Sequence, residues 1–161
     1  YAGLMLTDRG VQVLEFNVRM GDPECQVILP RLKSDFSDLC EALCQGRLKD
    51  YKAVWNSDAA VCVVLASGGY PGPYVKGKAI SGLGMAEENQ RVAVFHAGTR
   101  KEGEQFLTDG GRVLGVTATE KDLASAMMLA YEAVNKIHFD GMHYRRDIGA
   151  KGLASADQKS L

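Results

Sequence analysis

The sequence predicts an α+β protein: antiparallel strands with helices in the first third, then a small, mostly antiparallel β domain covered by one helix. Three observations predict it. Residues 11–18 alternate apolar and polar side chains after an apolar run at 1–6, short β-branched runs with glycine-rich turns fill 60–117, and residues 119–137 carry apolar side chains at helical spacing. A period of two sends successive side chains to opposite faces of a strand, whereas a period near 3.6 gathers them on one stripe of a helix.

The runs 1–6 and 11–18 read as two strands joined by Thr7-Asp8-Arg9-Gly10, whose Asp and Gly suit a tight reversal. Residues 23–29 read as a short helix, with Asp22 as cap, Pro23 at the first position and Glu24 in the first turn. Pro30 interrupts it, because proline lacks a backbone donor and crowds the preceding turn. Ser34 caps a second helix over 35–45, with Phe36, Leu39, Cys40 and Leu43 at helical spacing and Gly46 as its stop. The polar stretch 47–58 carries the boundary between two expected domains, 1–54 and 55–161.

Beyond the boundary, strands are expected at 60–66, 91–96, 105–108 and 112–117, and Asp109-Gly110-Gly111 predicts that the last two form a hairpin. Thr119 caps an amphipathic helix with Leu123, Ala126, Met127, Ala130, Val134 and Ile137 on one stripe, covering one face of the small sheet. Residues 153–161 are small and polar, so they are expected to fray.

Composition bounds the function. Of 161 residues, 46% are apolar and 24% charged, ordinary for a globular protein able to bury a core. With 19 basic and 20 acidic residues the net charge is −1, which offers no bulk field for nucleic acid or an anionic membrane. No apolar run approaches the roughly 20 residues that cross a bilayer, and the opening does not read as a signal peptide, so the expected setting is cytoplasmic. Cys25, Cys40, Cys44 and Cys62 lack zinc-ligand spacing and read as buried, reduced thiols. His96, His138 and His143 are scattered and read first as structural.

The chemistry-bearing stretch is VLEFNVRMGDPECQ, residues 13–26. Glu15, Asn17 and Arg19 share one strand face, and Leu14, Phe16 and Val18 the other. A carboxylate and an amide oxygen two residues apart suit Mg²⁺ or Mn²⁺, which complete their octahedron with nucleotide phosphates and water. An arginine one pleat further on offers a planar fork for phosphate or carboxylate. The same alternation also fits an ordinary half-solvated strand. Ser67-Gly68-Gly69-Tyr70-Pro71-Gly72 follows an apolar strand and can cradle an anion on its N–H groups or simply turn, since it lacks Walker spacing.

These residues resemble phosphoribosylamine-glycine ligase, also called glycinamide ribonucleotide synthetase, an ATP-grasp family. The signature Arg-(Phe or Leu)-Gly-Asp-Pro-Glu stands here as Arg19, Met20, Gly21, Asp22, Pro23 and Glu24, with Met20 a volume-tolerant departure. The resemblance continues through ASGGYPGPYVKG (66–77), FHAGT (95–99), DGGRVLGVTA (109–118) and YRRDIG (144–149). Five motifs in order cover nearly the whole chain. Ala150-Lys151-Gly152 departs from the family, where a bulky residue and an arginine are usual, so a weaker final strand or anchor is expected.

The resemblance implies that residues 1–54 are the end of an ATP-grasp domain and 55–161 the family's C-terminal domain. Family members are more than twice as long, and the chain opens on an apolar strand without Met, so N-terminal and lid segments are expected to be missing and the isolated chain inactive. The implied reaction joins phosphoribosylamine and glycine, splitting ATP, through a glycyl phosphate. In it Glu15 and Asn17 would bind the metal, and Arg19 would steady the transferring phosphoryl group or the glycine carboxylate. Asp22 and Glu24 would orient the amine. Gly68, Gly69 and Arg112 would contact phosphate, although Arg112, Arg145 and Arg146 have acids such as Asp109 and Asp147 near them in sequence. The alternative is a non-catalytic fragment or interaction module that retains the fold. A third reading, the same mechanism with another acid and amine, fits Gly-Asp-Pro-Glu less well.

Overall fold

A computed structural model describes residues 1–157. Strands β1 (Ala2–Thr7) and β2 (Gly10–Phe16) form the expected hairpin, closed by Asp8 and Arg9. Its register slips by one between Gly3 and Leu4, so Leu14 is an extra, bulged residue and Gly3 lies opposite Glu15. Reciprocal bonds between the Tyr1 and Asn17 backbones, 2.7 and 2.9 Å, extend the ladder by one pair. Both faces of the hairpin are open, with Leu6 82% and Phe16 77% exposed.

The next helix, α1 (Cys25–Ile28), is shorter than predicted and runs into a 3-10 turn, Leu29–Arg31, that accommodates Pro30. Asp22 does not cap it. Glu24 stands at the N-cap without a side-chain bond, and residues 22–24 form a turn of their own in which Gln26 N donates to the Pro23 carbonyl at 3.2 Å. Helix α2 (Phe36–Cys44) is capped by Asp35, which accepts from Ser37 N, while the predicted cap Ser34 accepts from Val54 N at 2.7 Å. A carboxylate is the stronger acceptor, and the hydroxyl is drawn to the chain returning beside it. None of the predicted α2 stripe is buried: Leu39 is half-buried and Leu43 is 60% exposed, while the one buried residue of the helix, Ala42, lies off the stripe. Cys40 and Cys44 are exposed and Cys25 half-buried, so burial holds for Cys62 alone.

The core lies in the rest of the chain. Strand β3 (Ala59–Ala66) is followed by β4 (Ala79–Ile80), α3 (Leu83–Ala86), β5 (Val92–His96), β6 (Thr99–Glu102), β7 (Gln105–Thr108), β8 (Arg112–Glu120), α4 (Leu123–Val134) and α5 (Ala150–Asp157). Two antiparallel sheets result, in the orders β3-β8-β5 and β4-β7-β6. In the first, Val61, Ala118 and Val92 form one cross-strand row and Val63, Val116 and Val94 the next; both join the core with Ala126, Ala130 and Val134 of α4. The opposite face carries the rows Cys62–Thr117–Ala93 and Val64–Gly115–Phe95, and α1 packs there.

Four expectations change. The hairpin at 109–111 does not form, because β7 and β8 belong to different sheets. A Cβ on Gly98 would fall 2.5 Å from Gly110 Cα, and one on Gly111 2.2 Å from the Tyr70 ring, so these glycines serve a close crossing of backbones. The reversal is instead at Gly103 (φ +57°), between β6 and β7. Thr119 still belongs to β8, and Asp122 caps α4 by accepting from Ser125 N at 2.7 Å. Finally, residues 150–157 form α5 rather than a frayed tail or final strand; residues 158–161 lie outside the described residues. Gly149 and Gly152 abut Met127 and Leu123, so small residues let α5 approach α4 closely.

Candidate functional site

The polar face of β2 leads into the signature turn, and the expected side chains gather beside it. Asn17, Arg19 and Glu24 line a cavity of about 870 Å³ with Tyr1, Val18, Met20, Gly21 and Ile28. Tyr1 was not anticipated. Its hydroxyl donates to Glu15 Oε1 at 3.0 Å, and a Cβ on Gly21 would meet both Glu24 Oε2 and that hydroxyl. Gly21 is therefore the point over which two carboxylates and a phenol converge. Partial desolvation, then the Glu15 hydrogen bond and the charges of Glu15 and Glu24, raise the Tyr1 phenol above its ordinary range, against the opposing Arg19.

A second cavity of about 510 Å³ lies on the other side of the turn, between α1 and the β3-β8-β5 sheet. It shares Arg19, Met20 and Gly21 with the first and adds Asp22, Gln26, Phe95, His96 and Arg112. Arg112 Nη1 donates to the Asp22 carbonyl at 2.6 Å, and its Nη2 lies 3.2 Å from Asp22 Oδ2. His96 Nδ1 lies 2.9 Å from Thr99 Oγ1, and its ring packs on Phe106 at 4.4 Å. Burial pushes the Cys62 thiol up, beneath Gln26, which leaves it a poor nucleophile.

Gly68 and Gly69 line neither of these cavities. Both have strong local reasons to be glycine: a Cβ on Gly68 would lie 2.9 Å from the Gly141 carbonyl, and Gly69 has φ +96° with the Pro73 carbonyl in the way. The other basic candidates have acidic or aromatic partners. Arg145 forks onto Asp147 at 2.9 and 2.6 Å, Arg146 lies over the Tyr144 ring, and Lys76 and Lys78 pair with Asp109 and Asp140.

The oxygen donors lining the first cavity are Asn17 and Glu24, with Glu15 outside the lining and joined to it by the Tyr1 hydroxyl; no thiolate or imidazole is among them. Among the described residues no group of three or more His, Cys, Asp or Glu could hold a metal alone. Such a sparse oxygen set fits Mg²⁺ or Mn²⁺ that takes most of its ligands from phosphate and water, and does not fit a self-contained protein cage.

Sequence signals for the missed residues differ in kind. Tyr1 lies across the ladder from Asn17 only because of the bulge at Gly3/Leu4; counted from the turn, it would oppose Phe16. Gln26 had no signal beyond its place one helical turn after Asp22.

A family model described as the phosphoribosylglycinamide synthetase C domain matches residues 60–151. The chain is 50% identical to a phosphoribosylamine–glycine ligase of Caldanaerobacter subterraneus, over 93% of this chain and 35% of that protein. With the corresponding ligase of Synechocystis the identity is 52%, over 95% and 37% respectively. With the trifunctional purine biosynthetic protein adenosine-3 of Gallus gallus it is 51%, over 98% of this chain and 16% of that protein. The crystal structure of a phosphoribosylamine–glycine ligase from Thermotoga maritima superposes with a TM-score of 0.69 at 36% identity, covering 91% of this chain and 35% of that one. The chain thus spans about a third of the length of the single-function relatives named here.

Proposed function

The chain belongs to the phosphoribosylglycinamide synthetase family, and from that premise we propose that it is the C-terminal part of an ATP-dependent ligase joining phosphoribosylamine and glycine. The observation that carries this reading is the pair of cavities meeting at Gly21, one walled by oxygen donors and Arg19, the other by Arg19, His96 and Arg112. In the proposed reaction a glycine carboxylate oxygen attacks the γ-phosphorus of ATP and ADP leaves. The amine of phosphoribosylamine then attacks the acyl carbon, loses a proton and expels phosphate, giving glycinamide ribonucleotide for purine biosynthesis.

Both steps gather negative oxygens, so fixed cationic and polar groups lower the barrier. Glu15 and Asn17 would hold Mg²⁺ or Mn²⁺, which supplies charge neutralisation at the ATP phosphates. Arg19 steadies the carboxylate or the phosphoryl group with its planar fork. Glu24, across Gly21 from the Tyr1 hydroxyl, takes up the amine. Arg112 contributes on the phosphate side, since a guanidinium has five N–H donors and Asp22 engages two nitrogens of this one; Gly68 and Gly69 would add to it only from the loop after β3, outside both cavities.

The division at 54/55 belongs to the same reading, with residues 1–54 completing an ATP-grasp domain. The open faces of the β1–β2 hairpin and the apolar stripe of α2 support it, since they suit coverage by upstream and lid segments of the same enzyme. A cytosolic setting goes with the four free cysteines. No helix among the described residues is long and apolar enough to cross a membrane. The test is ADP release by the protein as its gene encodes it: dependence on both glycine and phosphoribosylamine supports the reading, and ADP release indifferent to either substrate contradicts it.

A further inference from the structure

Asp22 is gripped from two sides. Arg112, 90 residues away, holds its carbonyl oxygen and Oδ2, and Gln26 Nε2 donates to Oδ1 at 2.9 Å. Resting on the ligase reading above, we propose that Arg112 and Gln26 are positioning residues, which lock the signature turn against β8 so that Arg19 and Glu24 face their cavities in fixed geometry.

Three observations favour a role in position over one in stability. The Asp22 and Arg112 side chains are 47% and 40% exposed, and ion pairs so open to water add little to stability. Yet the contact is directional: a planar fork that takes a carbonyl oxygen with one nitrogen and a carboxylate with the other fixes the orientation of the peptide, which a lysine cannot do.

Gln26 makes the same point from α1. Its Oε1 is buried without a hydrogen-bond partner, a defect that an apolar side chain would remove. Turning the amide over would set that oxygen against the Asp22 carboxylate, so the bond to Asp22 and the orphaned oxygen come together. The sheet makes room for this arrangement at Gly115, where a Cβ would approach Cys62 Sγ to 3.2 Å and Gln26 Cγ to 3.9 Å.

Asp22 then acts through the turn rather than on the amine. Both its carboxylate oxygens are engaged, and the turn it anchors carries Arg19 on one side and Glu24 on the other. Errors of about 1 Å in placing such groups cost on the order of 10²-fold in rate.

The experiment compares Arg112→Lys and Gln26→Met with Arg91→Lys, a control at the separate ion pair with Asp58 and Glu120, in the protein as its gene encodes it. Three quantities are read: thermal midpoint, amide hydrogen exchange at residues 21–28, and kcat with KM for each substrate. Gln26→Met is expected to melt no lower than wild type, to exchange faster at residues 21–28, and to lose at least about tenfold in kcat with KM for ATP little changed. Arg112→Lys should follow it in exchange and kcat, and Arg91→Lys should match wild type. Unchanged exchange in both clasp variants overturns the proposal, as does kcat lost only in proportion to folded protein. A wild-type protein without ligase activity sinks the ligase reading alone, and the exchange measurement still decides the clasp.

Discussion

The Tyr1 hydroxyl donates a hydrogen bond to Glu15 Oε1 at 3.0 Å, across a ladder shifted by one residue at Gly3. That bond occupies one of the two carboxylate oxygens of Glu15. Glu15 lies on an exposed strand, so little packing depends on it. Glu15→Gln should lower ligase turnover by orders of magnitude with little change in thermal midpoint, measured by steady-state kinetics and melting of the same preparation. A variant that instead unfolds would make Glu15 structural.

The crossing between the two sheets gives a steric prediction. Gly98→Ala drives a methyl group to 2.5 Å from the Gly110 backbone, which cannot rotate away, and should cost at least about 1–3 kcal/mol. Gly84→Ala, in α3 with nothing within 4 Å, should instead stabilise by about 0.5–1 kcal/mol through helix propensity. Denaturant titration of both variants separates a backbone crossing from an ordinary loop.

Burial separates the two parts of the chain. Leu65 is fully buried among α4 and the sheet, and Leu65→Ala should cost about 2–5 kcal/mol. Leu43→Ala on the open stripe of α2 should change the stability of this chain by no more than about 0.5 kcal/mol. If upstream segments cover that stripe, the same Leu43 substitution costs more in the longer protein, which denaturant melts of both lengths would reveal.

Asp35 and Asp122 supply a pH dependence. The Ser37 hydroxyl and backbone N–H hold the first carboxylate below its ordinary range, and the Ser125 backbone N–H holds the second. The folded state thus favours the ionised caps, so their contribution is complete above the unfolded value of about 3.9 and is lost as pH falls through the lower folded value. The melting temperature should fall below about pH 4, and Asp122→Asn, which still accepts through its amide oxygen, should flatten that decline.

Much of this was legible from the chain because local chemistry and final structure agree there. The 1–18 hairpin and α4 follow from periodicity, β3 and β5 from their β-branched runs, and the Gly-Asp-Pro-Glu turn from its residues, although Asp22 does not cap the helix after it. The misread points depend on distant partners. Asp109-Gly110-Gly111 has the composition of a hairpin turn, but its glycines answer to Gly98 and Tyr70. The two-residue β4 pairs with β7 and has too little sequence to carry a period. Thr119 lost its capping place to Asp122, three residues on, and Ser34 to the adjoining Asp35, a choice set by where β8 and the returning chain end. The clasp of Arg112 on Asp22 spans 90 residues, and no local pattern announces such a contact.

On the proposed reading, the signature turn is the working centre of a glycine-dependent ligase. The most direct measurement is ADP release by the protein as its gene encodes it, with Mg²⁺, glycine and phosphoribosylamine supplied or withheld singly, for wild type and Glu15→Gln. Release is expected only with all three present, and is expected to be almost lost in a folded Glu15→Gln protein. Release that ignores glycine or phosphoribosylamine, or that survives Glu15→Gln undiminished, would contradict that reading.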